Sequence, residues 1–527
     1  MPDRDPQASP APAVAAPAQP PAMYGGQLAV TALVLAMGTF MQVLDSTIAN
    51  VSLPTIAGNL GVSTSQGTWV ITAFAVANGI GVPLTGWLMG RYGVVRTFVF
   101  SVLAFTVASL LCGIAWSLSS LIFFRVLQGG VSGPMIPGSQ ALLISIFPPN
   151  KRGTALGIWS ITTLVAPICG PILGGYISDN YHWGWIFLIN VPVGIVVTFL
   201  CWINLKSRET PTRKLPIDTV GLGLLVVWVG ALQVMLDQGK DLDWFSSSEI
   251  VILAIVTAVG FAAFLIWELT EKNPVVDLSL FKRRNFALGT LAFCLGYAIF
   301  FANNLLMPLW LQTQVGYTAT WAGLVAAPAG VVAVLLTPLA AKMMSRYDAR
   351  IVASLAFIAF GVSFLMRANF TANASFLDFV LPLLVQGIAL ATYFLAMITL
   401  LLDGIPPQKI PLASGLSNFA RITGGGFAAS IVTTFWDRRE ALHQSRLVDH
   451  TTIFSPELAE TVKSLHGFGF SNLAGQAAVL RTVVGQAYLL AAEDIFWVSG
   501  WLCILMVGMV WLCRRSVSGG GAPVAAD

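Results

Sequence analysis

The stretch PLTGWLMGRY at residues 83–92 recurs as PLAAKMMSRY at residues 338–347. Pro, Leu, Met, Arg and Tyr occupy the same positions in both copies. Each copy ends the second apolar segment of a set of six. The repeat therefore predicts two parallel six-helix halves with a binding site between them, which is a recognised transporter architecture.

The composition indicates a membrane protein. Of the 527 residues, 56% are hydrophobic and only 10% are charged, whereas soluble domains are about 25% charged. A soluble fold of this size has too little polar surface to cover so much apolar side chain. A spanning helix needs roughly 20 apolar residues, so fourteen spans use about 280 residues. We therefore expect an all-α polytopic protein with about fourteen transmembrane helices.

Fourteen apolar segments define the predicted organisation. They lie at about 27–50, 68–89, 97–116, 119–146, 153–177, 184–205, 217–237, 248–270, 286–312, 318–343, 350–368, 376–402, 412–436 and 490–513. The predicted parts are a disordered tail rich in Pro and Ala, a six-helix half, an inserted two-helix linker, a second six-helix half and a short tail, at 1–26, 27–205, 206–285, 286–513 and 514–527. Residues 437–489 are predicted to form one long outward loop, either a docking surface or a plain tether.

The distribution of Lys and Arg predicts the orientation. Basic residues cluster in alternate loops, while the short loops 51–67 and 312–319 have none. By the positive-inside rule, both termini are expected on the cytoplasmic side. The net charge of +4 is spread over short clusters, which argues against a nucleic-acid partner. Six Cys without a CxxC spacing and four scattered His predict neither a disulfide framework nor a metal site.

Five motifs follow one another along the chain. They read LDSTIANVSLP at 44–54, GWLMGRYGVVR at 86–96, RVLQG at 125–129, PICGPILGG at 167–175 and WGWIFLINVP at 183–192. In this order they resemble the motifs of the major facilitator superfamily, specifically its fourteen-helix drug:proton antiporters of the EmrB/QacA type. Gly90, Val94 and Gly184 depart from that pattern, because the family often carries an acid, a base and an Arg at those positions.

The resemblance, which covers nearly the whole chain after the tail, implies function as well as fold. It implies a proton-coupled multidrug efflux transporter of the bacterial inner membrane that exports hydrophobic or amphiphilic molecules by alternating access without a cofactor. EmrB-type relatives work with a periplasmic adaptor and an outer-membrane channel. Two alternatives stay open from sequence: a facilitator or symporter of the same fold, and an integral membrane enzyme, although no HExxH motif and no GxSxG nucleophile elbow in a suitable setting occurs. The absence of GxxxxGK[ST] argues against an ATP-driven pump.

Asp45 and Arg125 are the predicted proton-coupling residues. Asp45 lies inside the first helix, where an unpaired charge costs at least about 2.5 kcal/mol. Desolvation favours the protonated form of a carboxyl group, as a proton carrier requires. Arg125 in the fourth helix is its expected partner, and the resemblance assigns that Arg to the proton relay. The alternatives are an acid near water at the helix end and an Arg that only bonds backbone carbonyls.

The motif residues are the predicted gating elements. Ala166, Gly170 and Gly174 recur every four residues, so a neighbouring helix can approach closely, and the prolines bend the helix. The resemblance makes this fifth helix a gate against the other half; a kinked packing seam is the alternative. Arg91 and Arg96 are either conformational elements or topology anchors. The full set is Gly86, Arg91, Gly93, Arg96, Gln128, Gly129, Pro167, Gly170, Pro171, Gly174 and Gly175.

Polar and aromatic side chains at membrane depth are the predicted substrate pocket, because they need a cavity that satisfies them. They are Gln42, Tyr297, Phe300, Phe301, Asn303, Asn304, Gln312, Asn418, Phe419 and Arg421. Each aromatic could instead face lipid or the core. The tenth helix carries no acid, so a cavity with Arg125 and Arg421 as fixed cations is expected to accept neutral or anionic amphiphiles better than dications.

Overall fold

The computed structural model describes residues 23–516 apart from 63, 149–150, 213–215, 217, 272–273, 275, 373, 407–408, 450–455 and 469–470. Every regular element in these residues is helical, which confirms the predicted all-α class. The helices of the first predicted half are α1 Gly25–Leu60, α2 Thr64–Gly67, α3 Trp69–Gly81, α4 Thr85–Tyr92, α5 Val94–Gly113, α6 Leu118–Ser132, α7 Met135–Ile146, α8 Arg152–Asn180, α9 Trp185–Leu188 and α10 Asn190–Leu205.

The remaining helices cover the predicted linker and second half. They are α11 Thr219–Gln238, α12 Ser248–Thr270, α13 Arg284–Trp310, α14 Ala319–Met344, α15 Ala349–Arg367, α16 Phe376–Leu402, α17 Ile410–Asp449, α18 Pro456–Gly467 and α19 Asn472–Trp511. A π-helical turn, Leu311–Val315, follows α13. Most of the helices are long and apolar because a bilayer offers backbone groups no partner outside the helix itself.

Among the described residues, eleven helices are long and apolar enough to span a membrane, and α3 with α4 makes a twelfth if that bent pair is one span. The protein is therefore a multi-pass membrane protein. The predicted segments 119–146 and 412–436 correspond to α6–α7 and to part of α17, which lie outside that set. The count of fourteen spans stays a prediction.

The internal repeat has two different shapes. The first copy, 83–92, contains the break between α3 and α4, whose axes differ by 55°. The second copy lies at the end of α14, which continues through Pro338. Since proline removes a backbone donor and crowds the preceding turn, it permits a kink without enforcing one. The same motif is thus bent in the first half and continuous in the second.

The inserted helices bridge the two halves. Asp237 near the end of α11 accepts a hydrogen bond of 2.5 Å from Thr72 of α3. On another face of α11, Trp228 packs edge-on against Phe419 of α17, and the carbonyl of Leu236 accepts from Ser430 of α17. The insertion therefore packs against helices of both predicted halves.

Two of the direct seams that join the halves have glycine at the contact. In one, α8 lies along α14: Gly153 lies beside Ala341, Gly157 beside Thr337, and Ile172 beside Gly323 near the opposite ends. In the other, Gly86 of α4 packs against Leu412 of α17. Both seams use glycine at the contact, which lets the helix axes approach closely.

The segment predicted as an outward loop, 437–489, is mostly helical in its described part, and its position outside the membrane stays a prediction. α17 continues without a break to Asp449, α18 begins at Pro456, and α19 begins at Asn472. At 1.5 Å per residue, residues 437–449 of α17 extend roughly 20 Å beyond the predicted span. Asp494 of α19 joins the two long helices by accepting from Arg439 at 2.8 Å and from His443 at 2.7 Å.

Candidate functional site

Asp45 lies in the middle of α1 and is completely buried. Its Oδ2 accepts a hydrogen bond of 2.6 Å from Arg125 Nη1. Its Oδ1 accepts from Gln128 Nε2 at 3.0 Å and from Asn190 Nδ2 at 2.9 Å. One cation and two amides therefore stabilise the ionised carboxylate at a depth where water is excluded.

Arg125 is equally enclosed, with 1% of its surface exposed. Besides Asp45, it donates through Nε to the Val70 carbonyl at 3.1 Å and through Nη1 to Gln128 Oε1 at 2.6 Å. The ring of Phe74 lies 4.2 Å from the guanidinium carbon, close enough for a cation–π contact. The Asp45–Arg125 pairing predicted from sequence is present, and the alternative of an Arg bonded only to carbonyls is not.

The pair ties several helices together. Gln128 of α6 also donates to Ser109 Oγ of α5 at 2.8 Å, while Val70 belongs to α3 and Asn190 to α10. A proton on Asp45 would remove the charge that these donors satisfy. The site can therefore convert a protonation event into altered contacts among five helices.

Sequence reasoning named only part of this network. Gln128 was included as a motif residue, but its two hydrogen bonds to the pair were not foreseen. Asn190, Ser109 and Val70 were missed as partners. Asn190 carried a signal, because it lies in the quoted motif 183–192 and is an amide at membrane depth. Val70 acts through its backbone, which no side-chain motif reveals.

The loop after α4 is held by an acid that the motif does not contain. Gly93 adopts φ of +94°, which favours glycine, and a side chain there would collide with Glu209. Glu209 accepts from the backbone N–H of Val95 at 3.0 Å and of Arg96 at 2.9 Å. A carboxylate thus caps the start of α5, a favourable place for negative charge. Gly90 and Val94 indeed form no acid–base pair, but the linker supplies the acid.

Arg91 and Arg96 differ in their surroundings. The Arg91 guanidinium lies over the rings of Trp87 and Tyr92 at 5.5 and 5.7 Å. Arg96 is largely exposed and 3.9 Å from Glu209. Both arrangements agree with topology anchors as well as with a conformational role, which stays a prediction.

The small-residue face of α8 packs against α1. A side chain at Gly170 would approach the Ile48 backbone nitrogen to 3.2 Å, and one at Gly174 would approach the Ile48 carbonyl oxygen to 2.9 Å. The glycines of this face therefore meet the helix that carries Asp45, whereas Ile172 of the same motif lies beside Gly323 of α14 in the other half. α8 reaches α14 through other residues.

The other motif residues of this region are less constrained. Gly175 has open space around its Cα hydrogens. Pro167 is half-buried within α8, and the side chain of Pro171 lies outside the described residues. At Gly129, a side chain would collide with the carbonyl of Phe74, so this glycine lets α6 cross α3 closely. The gating role stays a prediction.

Part of the predicted pocket forms one group around Arg421, which is 4% exposed. The guanidinium lies 4.5 Å from the ring centre of Tyr297, and that ring stacks on Phe301 at 5.7 Å. Arg421 Nε donates to Asn418 Oδ1 at 3.2 Å. Asn418 in turn donates to Gln140 of α7 at 3.2 Å, so this group reaches across to the first half.

The other predicted pocket residues lie elsewhere. Asn303 donates to Ser499 of α19, Phe419 faces Trp228 of the insertion, and Phe300 packs against Phe360 of α15. Gln312 is exposed on the π-helical turn. Asn303, Phe419 and Gln312 thus lie apart from the Arg421 group, because helical rotation turns them to other neighbours. Phe300 also packs against Tyr297 at 6.0 Å and so lies at the edge of that group.

Gln42 and Asn304 have a different environment. Gln42, one turn before Asp45, is buried with no hydrogen-bond partner for Oε1. Asn304 lines a small cavity with Arg367. Arg367 ends α15 and is 1% exposed. It is not among the site residues predicted from sequence.

These observations agree with the comparison to known proteins. The model of the Major Facilitator Superfamily matches residues 35–429. The chain belongs to this superfamily. It is 48% identical over 500 residues to the multidrug export protein EmrB of Escherichia coli (strain K12), covering 95% of this chain and 98% of that protein. The family predicted from the motifs, an EmrB-type efflux transporter, is confirmed.

Further relatives share the same extent. The chain is 49% identical over 497 residues to EmrB of Haemophilus influenzae, covering 94% of this chain and 97% of that protein. It is 46% identical over 501 residues to the fatty acid resistance protein FarB of Neisseria gonorrhoeae, covering 95% and 99%. The similarity to each of these relatives thus extends over nearly the full length of both chains.

The fold is shared with solved transporters. The proton:xylose symporter XylE superposes with a TM-score of 0.57 at 13% identity, over 93% of this chain and 98% of that chain. The human organic anion transporter MFSD10 superposes with a TM-score of 0.57 at 12% identity, over 92% and 100%. The predicted major facilitator fold is therefore confirmed.

Proposed function

We propose that this protein exports hydrophobic and amphiphilic small molecules in exchange for protons, with Asp45 as the proton carrier. Its relatives named as multidrug export proteins support the direction of transport. The observation that carries the coupling is the buried Asp45–Arg125 ion pair with its two amide donors. Intramembrane acids mark ion pathways by default.

Protonation of Asp45 changes the hydrogen bonds and the ion pair that the carboxyl group makes. The charged carboxylate holds Arg125, Gln128 and Asn190 in place, whereas a neutral acid weakens all three contacts. Because these donors sit on different helices, proton loading favours a different packing of the first half. Proton release restores the pair and the packing described here, which gives one coupled cycle of alternating access.

The substrate site is proposed to lie between the halves, beside Arg421 and Tyr297. Aromatic rings with few polar groups suit loosely specific binding of apolar ligands. No carboxylate lies within 4 Å of Arg421 in the described residues, so its charge favours neutral or anionic amphiphiles over dications. A relative named as a fatty acid resistance protein supports this preference. Strong export of dications with weak acids ignored would contradict it.

The basic clusters and the helical extension support a proposal for the orientation of the protein in the membrane and for its partner proteins. The basic clusters favour cytoplasmic termini in the bacterial inner membrane. On the opposite side, α17, α18 and the start of α19 extend past the spans as helices, with Phe468 and Leu473 exposed. We propose that this helical extension is where a periplasmic adaptor would dock, with an outer-membrane channel beyond it.

The test is proton movement driven by substrate. Liposomes carrying the purified protein and a pH dye inside are given neutral or anionic amphiphiles, and wild type is compared with Asp45→Asn. We expect substrate-dependent proton movement in wild type and none in the variant. The matched control is Asp237→Asn, since Asp237 is an exposed carboxylate bonded to Thr72 and should keep coupling.

The two variants separate the possible results. Loss in Asp237→Asn with survival in Asp45→Asn would move the proton site while leaving antiport intact. Substrate flux with no proton movement in any variant would indicate a facilitator and contradict the proposal.

A further inference from the structure

Arg367 presents a buried positive charge that no other part of the described chain neutralises. Only 1% of its surface is exposed, and no carboxylate lies within 4 Å of it among the described residues. Its Nη2 donates to Gln386 Oε1 and, at 3.4 Å, to Ser363 Oγ. The rings of Phe364 and Phe496 lie 5.2 and 5.9 Å from the guanidinium carbon. These neutral partners leave the charge without a counter-ion, a costly arrangement at membrane depth.

One N–H donor of the guanidinium also has no hydrogen-bond partner. Arg367 Nε is buried without a hydrogen-bond partner, and an unmet donor of this kind costs about 1–3 kcal/mol. Arg367 lines a cavity between α13, α14, α15 and α16. The space open to the centre of a water molecule is about 10 Å³, roughly enough for one water.

The rest of the cavity wall is mostly apolar. Asn304 adds one amide, and the remaining lining consists of Met307, Pro308, Ala322, Val325, Ala326 and Leu383. A planar fork of donors next to an apolar wall suits a carboxylate attached to an apolar body. A cation with its own hydration shell would meet repulsion at the same place.

The walls of the cavity are helices that can bend. Proline interrupts the hydrogen-bond ladder of α13 at Pro308, of α14 at Pro328 and of α16 at Pro382. The π-helical turn that follows α13 lies next to this wall. Prolines and π-turns are the usual places where helices kink. Bending at these places would let the cavity volume grow from that of one water molecule to that of a carboxylate group.

We propose that Arg367 is an anion subsite that binds the carboxylate of amphiphilic substrates near the predicted outer end of the second half. It is separate from Arg421, which lies on α17 and contacts α13 and α16 aromatics. The inference rests on the proposed export function and deepens it by naming the residue that selects the carboxylate. Arg367 acts as a specificity-determining residue, and the proton remains with Asp45.

The experiment compares two substrates that share the same alkyl chain, one with a charged carboxylate head group and one with a neutral amide head group. Flux of dodecanoate and of dodecanamide is measured in liposomes for wild type, Arg367→Gln, Arg367→Lys and the control Arg515→Gln, whose side chain is 76% exposed. We expect Arg367→Gln to raise the KM for dodecanoate at least about tenfold and to leave dodecanamide within about twofold. Arg367→Lys should retain part of the selectivity, because it keeps the charge but loses the fork.

The controls make each outcome decisive. Equal losses for both substrates would show that Arg367 only supports the fold, and unchanged KM for dodecanoate would show that it does not touch the substrate. If dodecanamide flux depends on chloride in wild type and loses that dependence in Arg367→Gln, the bound anion is inorganic and the proposal fails. Flux of dodecanamide in wild type with dodecanoate ignored would refute the subsite while leaving efflux intact.

Discussion

The two halves both bury arginine, but they surround it differently. In the first half, Arg125 meets a carboxylate at 2.6 Å and the pair has no net charge. In the second half, Arg367 and Arg421 contact amides, a hydroxyl and aromatic faces, and no carboxylate lies within 4 Å of either in the described residues. A paired charge can be switched by a proton, whereas an unpaired guanidinium stays positive at every physiological pH.

This difference suggests a division of labour within one repeated fold. In our proposal, the first half holds the group that binds the proton, and the second half holds the fixed positive charge that selects the substrate. The motif at 83–92 recurs at 338–347, so the two halves share a sequence pattern. Their difference in charge pairing therefore lies in a few polar positions. Four predictions test it, from the largest expected effect to the smallest.

Breaking the first-half pair should have the largest effect. Arg125→Gln leaves Asp45 buried without its cation, which costs about 3–5 kcal/mol of stability. The double variant with Asp45→Asn removes both charges and should recover most of that loss, although it cannot carry a proton. Thermal unfolding in detergent, read as a double-mutant cycle, measures the coupling. Additive losses in the two single variants would mean that the pair is not the stabilising unit.

Disturbing the contact between α1 and α8 should have the second-largest effect. Gly170→Ala forces a methyl group against Thr47 and the Ile48 backbone, so we expect a loss of about 1–3 kcal/mol and reduced proton-coupled flux. Gly175→Ala is the matched control, because nothing lies within 4 Å of its new methyl group. Identical behaviour of the two variants would show that α1 and α8 do not pack as described.

A carboxylate can be introduced into the second half to imitate the first. Since Asn418 Oδ1 already accepts from Arg421 at 3.2 Å, Asn418→Asp should form an ion pair there. We expect the ratio of anionic to cationic amphiphile flux to fall roughly tenfold, which corresponds to about 1.4 kcal/mol. Asn418→Ala separates loss of the amide from gain of charge. An unchanged ratio in the Asp variant would remove Arg421 from the selectivity argument.

The smallest effect concerns one amide of the first-half site. Asn190→Ala removes a donor of 2.9 Å to the buried carboxylate of Asp45. The free energy of unfolding in detergent should therefore fall by about 1 kcal/mol, since one hydrogen bond contributes about that much. Ser46→Ala, which loses only a bond to the Val43 carbonyl, serves as control. An equal loss in both variants would point to a general change in α1.

Much of the architecture was predictable because membrane helices carry their signal in the sequence. Apolar runs of span length, the alternation of basic loops and five ordered motifs led to the fold and the family. The Asp45–Arg125 pair was also predictable, because two opposite charges at membrane depth have few other ways to be satisfied. The length of α17 and α19 was not, since amphipathic helix outside the bilayer looks like a polar loop when only apolar runs are counted.

The sequence by itself determined that this protein is a membrane transporter of the major facilitator type with an acid and an arginine buried in its first half. The tertiary structure decided which neighbours they meet: Asn190 and Val70 complete the pair, Gly170 meets α1, Glu209 holds the loop after α4, and Arg367 faces a cavity instead of the membrane surface. The reason is physical. Hydropathy depends on composition along one helix, whereas partners depend on helix rotation and crossing, which packing between distant segments sets.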